Sequence, residues 1–166
     1  MGLNSSSMAV VIRHKNVKST DYGSIPDEVN LSFAQEFAAG VGAEQCDLVF
    51  GPDKRTLAGG ASESLDLVAG GLLDNLGNAL TFVTVRGILI VNLSATKILT
   101  VGNDANPLLF LGGPTETYPI PPKGKMPLDN PVTGWPVTPD TGDKVKVANN
   151  AGDPADYWVY ILGTSS

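Results

Sequence analysis

From Asp47 onward, β-branched and aromatic residues gather in short runs that Gly, Pro, Asn and Asp interrupt. The clearest run is Thr81-Phe82-Val83-Thr84-Val85-Arg86-Gly87-Ile88-Leu89-Ile90-Val91-Asn92-Leu93. Its β-branched content predicts a buried strand, and Gly87 predicts a bulge or bend within it. The run is too short, and too closely bounded by charge, to cross a membrane. Lys97-Ile98-Leu99-Thr100-Val101 follows after a short turn and predicts a hairpin with it. Lys144-Val145-Lys146-Val147 alternates, which turns its valines inward and its lysines outward. Tyr157-Trp158-Val159-Tyr160-Ile161-Leu162 is apolar on both faces, the pattern of a central strand or of one covered by a partner.

Upstream, Leu31-Ser32-Phe33-Ala34-Gln35-Glu36-Phe37-Ala38 could be a short capped helix or a strand. A strand is preferred because Leu31, Phe33 and Phe37 then share a face. Cys46 to Phe50 predicts a strand closed by Gly51-Pro52-Asp53, and Arg55-Thr56-Leu57 is expected to pair with Ser64 to Leu67 through Gly59-Gly60. Residues 1–30 are polar and carry two turn signals between Asp21 and Asp27, so they read as an irregular arm that can order across a neighbouring subunit. The stretch 106–139 is rich in proline, which confines it to edges, turns and extended loops. Tyr118, Ile120, Met126, Leu128 and Trp135 tether that stretch to the core. The expected fold is mainly β: an antiparallel β-sandwich or jelly-roll-like domain over residues 31–166, with an extended N-terminal arm at 1–30.

Composition adds a reason to look at surfaces. Only 17% of the 166 residues are charged, against about 25% for an ordinary soluble protein. Such a surface is covered by Ser, Thr, Asn and Gly or is partly buried against other chains. The net charge of −6 argues against nucleic acid, whose phosphates need a positive footprint. Arg13, His14, Lys15 and Lys18 cluster near the start but read as a solvated end. Cys46 is the only cysteine, so no disulfide can form within the chain. With His14 the only histidine, a Cys–His pair would need the arm to fold back onto Cys46.

Candidate chemistry is sparse. Asp140-Thr141-Gly142 matches the triplet that carries the aspartic-protease carboxylate, but it lies in a polar turn, and that chemistry needs two carboxylates sharing a proton. Gly51-Pro52-Asp53-Lys54-Arg55-Thr56 has the wrong spacing for a phosphate loop, and Pro52 removes an amide. Acidic residues such as Asp153 and Asp156 are scattered singly, without the convergence a calcium site needs. No catalytic, cofactor or metal residue is therefore assigned, and the chain reads as non-enzymatic. Trp135, Trp158, Tyr118, Tyr157 and Tyr160 could stack on a sugar, which keeps a carbohydrate-binding module as the alternative.

Several segments occur in a telling order. They are Arg55-Thr56-Leu57-Ala58, Ser62-Glu63-Ser64-Leu65-Asp66-Leu67, Leu73-Asp74-Asn75-Leu76-Gly77 and Thr81-Phe82, then Val101-Gly102, Val147-Ala148-Asn149 and Val159-Tyr160-Ile161-Leu162-Gly163. In this the chain resembles small virion structural proteins of tailed bacteriophages, among them head decoration or cement proteins. The resemblance covers roughly the last two-thirds of the chain, and the proline-rich segment after Pro119 departs from it. It implies a protein made in the host bacterial cytoplasm and carried on the capsid surface. Its partners would be the major capsid protein and neighbouring copies of itself, with no nucleic acid and no membrane. The arm and the exposed aromatics then supply the candidate contacts: Val10, Val11, Ile12, Arg13, Tyr22, Ile25, Tyr118 and Trp135.

Overall fold

A computed structural model describes residues 5–69, 71–150 and 152–166, with the side chain of residue 52 left out. Its sheets are antiparallel except for one two-residue parallel contact, and no helix occurs among the described residues. Two sheets share a single core. The larger is built on β12 (Ala155–Thr164), which is flanked by β4 (Leu48–Leu57) on one side and β6 (Thr84–Asn92) on the other. The far edge of β6 is shared by β9 (Lys125–Asp129) and β10 (Trp135–Pro136). The smaller sheet runs β5 (Ser62–Asp66), β11 (Lys144–Asn149), β7 (Leu99–Gly102), β8 (Thr117–Ile120).

Alternation decides which residues these sheets bury. Val145 and Val147 of β11, Leu99 and Val101 of β7, Ile88 and Ile90 of β6, and Tyr157, Val159 and Ile161 of β12 all enter the same core. The expected central position of the last strand is met, since β12 has a hydrogen-bonded neighbour on each side. Prolines sit where a missing amide costs least: Pro119 in β8, Pro127 in β9 and Pro136 in β10 all lie on edge strands.

Two pairings differ from the sequence reading. β4 is continuous through Gly51, and β5 pairs with β11 in the other sheet rather than with Arg55-Thr56-Leu57. The register shift opposite Val159 and Ile161 places an extra residue in β4 beside Gly51, so the turn-like Gly51-Pro52-Asp53 is a bulge. Likewise β7 does not form a hairpin with β6; it crosses to the smaller sheet. Asn92 drives that exit. Its buried amide donates to the carbonyls of Lys97 (2.7 Å), Ile120 (3.0 Å) and Pro121 (3.0 Å), while its carbonyl accepts from Ser94 N–H (3.0 Å).

The N-terminal segment departs further from expectation. β1 (Ser5–Thr20) and β2 (Gly23–Ala39) form one antiparallel ladder from Ser5↔Ala38 to Thr20↔Gly23. The residues read as an irregular arm are strand on both sides of a turn at Asp21-Tyr22, and residue 30 falls midway along β2. Gly23 takes φ 126° to close this turn, and Thr20 Oγ1 donates to its carbonyl at 2.7 Å. At about 3.4 Å per residue a strand of this length reaches roughly 54 Å, far beyond what one domain needs to cover.

Candidate interaction surface

Among the described residues, the ribbon is buried against the body at its foot. Phe37 is wholly buried with Cys46 of β3 (Gln45–Cys46) and Leu162 of β12, and Met8, Val49 and Tyr160 pack around them. β3 pairs with β2 only at Ala38 and Ala39. This small cluster is separate from the main core. Beside it, Arg86 lies in the bulge of β6 opposite Leu162 and Gly163. Its guanidinium donates to the carbonyls of Pro131 (2.8 Å), Val132 (2.8 Å) and Val41 (3.5 Å), tying the loop after the ribbon to the loop before β10. Burial pushes the Cys46 thiol above its usual pKa, which keeps it protonated as a small apolar group.

Above the foot the two faces of the ribbon differ. Register puts Val10 opposite Phe33, Ile12 opposite Leu31, His14 opposite Val29 and Lys18 opposite Ile25 on one face. The other face carries Ala9 opposite Ala34, Val11 opposite Ser32, Arg13 opposite Asn30 and Lys15 opposite Glu28. The apolar side chains of the first face are uncovered: Val10 is 48% exposed, Ile12 50%, Leu31 49% and Phe33 63%. Tyr22 stands fully in solvent at the tip.

Charge is divided between the strands. β1 carries Arg13, Lys15 and Lys18 with no acid, and β2 carries Asp27, Glu28 and Glu36 with no base. Within the ribbon Lys15 pairs with Glu28 at 2.5 Å, Arg13 Nε donates to Asn30 Oδ1 at 3.2 Å, and His14 lies 3.8 Å from Asp27. The basic group that reads as a solvated end is therefore one edge of a ladder.

Where the apolar face leaves the foot, it overhangs the outer face of the larger sheet. A groove of about 1120 Å³ opens between them, with Val10 and Phe33 on the ribbon side and Leu89, Val91, Trp158 and Tyr160 on the sheet side. The sheet side is explained by β12, whose Tyr157, Val159 and Ile161 fill the core and so turn Trp158 and Tyr160 outward.

The candidate contact residues separate into two groups. Val10, Val11, Ile12, Arg13, Tyr22 and Ile25 all lie on the ribbon and are exposed. Tyr118 lies on β8 of the smaller sheet, and Trp135 lies on β10 of the larger, packed edge-on against Phe110 at 6.3 Å. Those two aromatics do not share a sheet. Phe33 and Leu31 on the ribbon, which were not among the candidate contacts, complete the apolar surface together with Trp158, one of the aromatics that could stack on a sugar, which lies in the groove. The clue to the first two was the shared face of Leu31, Phe33 and Phe37 once the strand is accepted.

The chemically suggestive motifs sit in structural roles. Asp140 adopts φ 63° in a turn whose Gly142 N–H donates to Thr138 at 2.8 Å, and Asp140 N–H donates to Asp143 at 2.9 Å. His14 lies eight residues along β1 from Ser6, which is beside Cys46; that is about 27 Å of strand. No group of three or more His, Cys, Asp or Glu is placed to hold a metal among the described residues. Compared with known proteins, the chain matches no family model and no curated relative.

Proposed function

We propose that this chain is a non-enzymatic virion structural protein that decorates or cements a phage head, with the β1–β2 ribbon as its contact arm and the two core-sharing sheets as a β-sandwich platform. One observation carries the reading: a long ladder leaves the body and keeps Val10, Ile12, Leu31 and Phe33 uncovered. An isolated two-stranded ribbon is marginal in water, and contiguous exposed apolar surface is the mark of an interaction site. The phage assignment itself rests on the sequence resemblance. A protein that binds only the assembled shell stabilises it by mass action, and repetition over a lattice multiplies weak contacts.

The test is the copy number of this chain relative to the major capsid protein in purified virions, read by mass spectrometry. Comparable numbers are expected; absence from virions overturns the reading. A companion variant removes residues 12–31 and joins Val11 to Ser32 through Asn-Gly, which preserves the foot and its register. It should fold and fail to bind shells.

Carbohydrate binding is favoured by a single feature, the exposure of Trp158 in the groove beside Tyr160. Glycan binding that is abolished by Trp158→Ala would support it, and a blank glycan array would end it.

A further inference from the structure

We propose that the ribbons of neighbouring copies associate head to tail, the free edge of β1 in one copy adding to the free edge of β2 in the next. Among the described residues, β1 is the outermost strand of its sheet, and β2 has no partner on its far side except at Ala38 and Ala39. Both edges therefore present unpaired backbone groups along most of a long strand. Edge-to-edge addition satisfies those groups, extends the apolar face across copies and turns a marginal ribbon into a multi-stranded sheet.

Charge selects the geometry. With β1 wholly basic and β2 wholly acidic in their charged residues, a two-fold β1–β1 contact sets Arg13, Lys15 and Lys18 against themselves. A β2–β2 contact does the same for Asp27, Glu28 and Glu36. Like charges facing across a ladder are destabilising. The mixed contact alternates sign. If all ribbons point the same way, the register of one hairpin repeats between copies, so Lys15 meets Glu28 of the next copy. Lys18 and Arg13 then lie diagonal to Asp27 and Glu28 of that copy. Each acidic strand is then flanked by two basic ones. A contact between two different patches is heterologous, so it builds a ring or an open array rather than a dimer. The association needs no shell, and its failure is therefore separable from a failure of the virion reading.

The test uses the full chain and a full-swap variant carrying Arg13→Glu, Lys15→Glu, Lys18→Glu, Asp27→Lys, Glu28→Lys and Glu36→Lys. The swap leaves the net charge at −6 and keeps opposite signs within each ribbon. Sedimentation velocity across a concentration series should show both proteins forming species larger than a dimer. A trace of fluorescent full-swap chain should be excluded from wild-type assemblies, and labelled wild-type chain should enter them. High salt should weaken both assemblies. A wild-type chain that stays monomeric, one that stops at a dimer, or full-swap chain that co-assembles freely with wild type would each overturn the proposal.

Discussion

Phe37→Ala separates the ribbon's attachment from the stability of the body. The phenyl ring is completely buried in the satellite cluster with Cys46 and Leu162, and it belongs to no other cluster. Truncating a buried Phe costs about 3–5 kcal/mol, from lost transfer energy and the cavity left behind. If the foot opens as a local unit, that loss falls on the foot alone and raises its opening constant by about two to three and a half orders of magnitude. Hydrogen exchange reads this by residue. Amides at the foot, in residues 6–9, 34–39 and 45–46, should exchange faster by that factor. Amides of Thr84–Asn92 and Lys144–Asn149, whose core residues touch the main cluster, should change less than about tenfold. Uniform acceleration of foot and body would refute the idea of a separate attachment unit. An unchanged foot would refute the role given to Phe37.

Other consequences can be read by denaturation. A Cβ on Gly163 would lie 2.2 Å from the Thr84 carbonyl and 2.7 Å from Phe82, with backbone on one side that cannot yield. Gly163→Ala should therefore cost about 3 kcal/mol, whereas Gly71→Ala, which meets nothing within 4 Å, should stay within about 0.5 kcal/mol of wild type. Equal midpoints in urea would contradict the packing described. Asn92→Ala strands the carbonyls of Lys97, Ile120 and Pro121 at the crossover between sheets and should lower stability by about 2–3 kcal/mol. A loss under about 0.5 kcal/mol would remove Asn92 from that role. The Asp66 carboxyl is held below its usual pKa by the Lys144 ammonium and by the amides of Ala69 and Val68. A lowered folded-state pKa adds stability above the unfolded value of about 3.9 and loses it as pH falls through the folded value. Asp66→Asn should thus be destabilising near neutrality, with the gap to wild type closing below about pH 4. A gap that is constant with pH would show the ion pair to be without effect.

What could be read from sequence was what burial enforces. The valines of β11, the apolar run of β6 and the closing strand β12 follow period two because one face or both enter a shared core. The edge positions of Pro119, Pro127 and Pro136 follow as directly from the missing amide. β1 and the first half of β2 were hidden because they bury almost nothing in their own chain, so no alternation is imposed on them. Pro26 reads as a turn signal, yet it sits in β2 opposite Val17, tolerated because each strand of a ribbon has a free edge. Pairing across sheets was equally invisible: the exit after Asn92 depends on carbonyls from residues far along the chain. The apolar contact face could be read only once β1 and β2 were known to be in register, since Val10 and Phe33 lie far apart in sequence.

The most direct test of the ribbon as the working surface is hydrogen exchange on the full chain, compared between a dilute sample and the concentrated assembly. New protection is expected along both ribbon edges, in residues 9–18 and 25–34, with Leu99–Gly102 and Lys144–Asn149 unchanged. Protection that appears elsewhere on the body while the ribbon still exchanges freely would contradict the account.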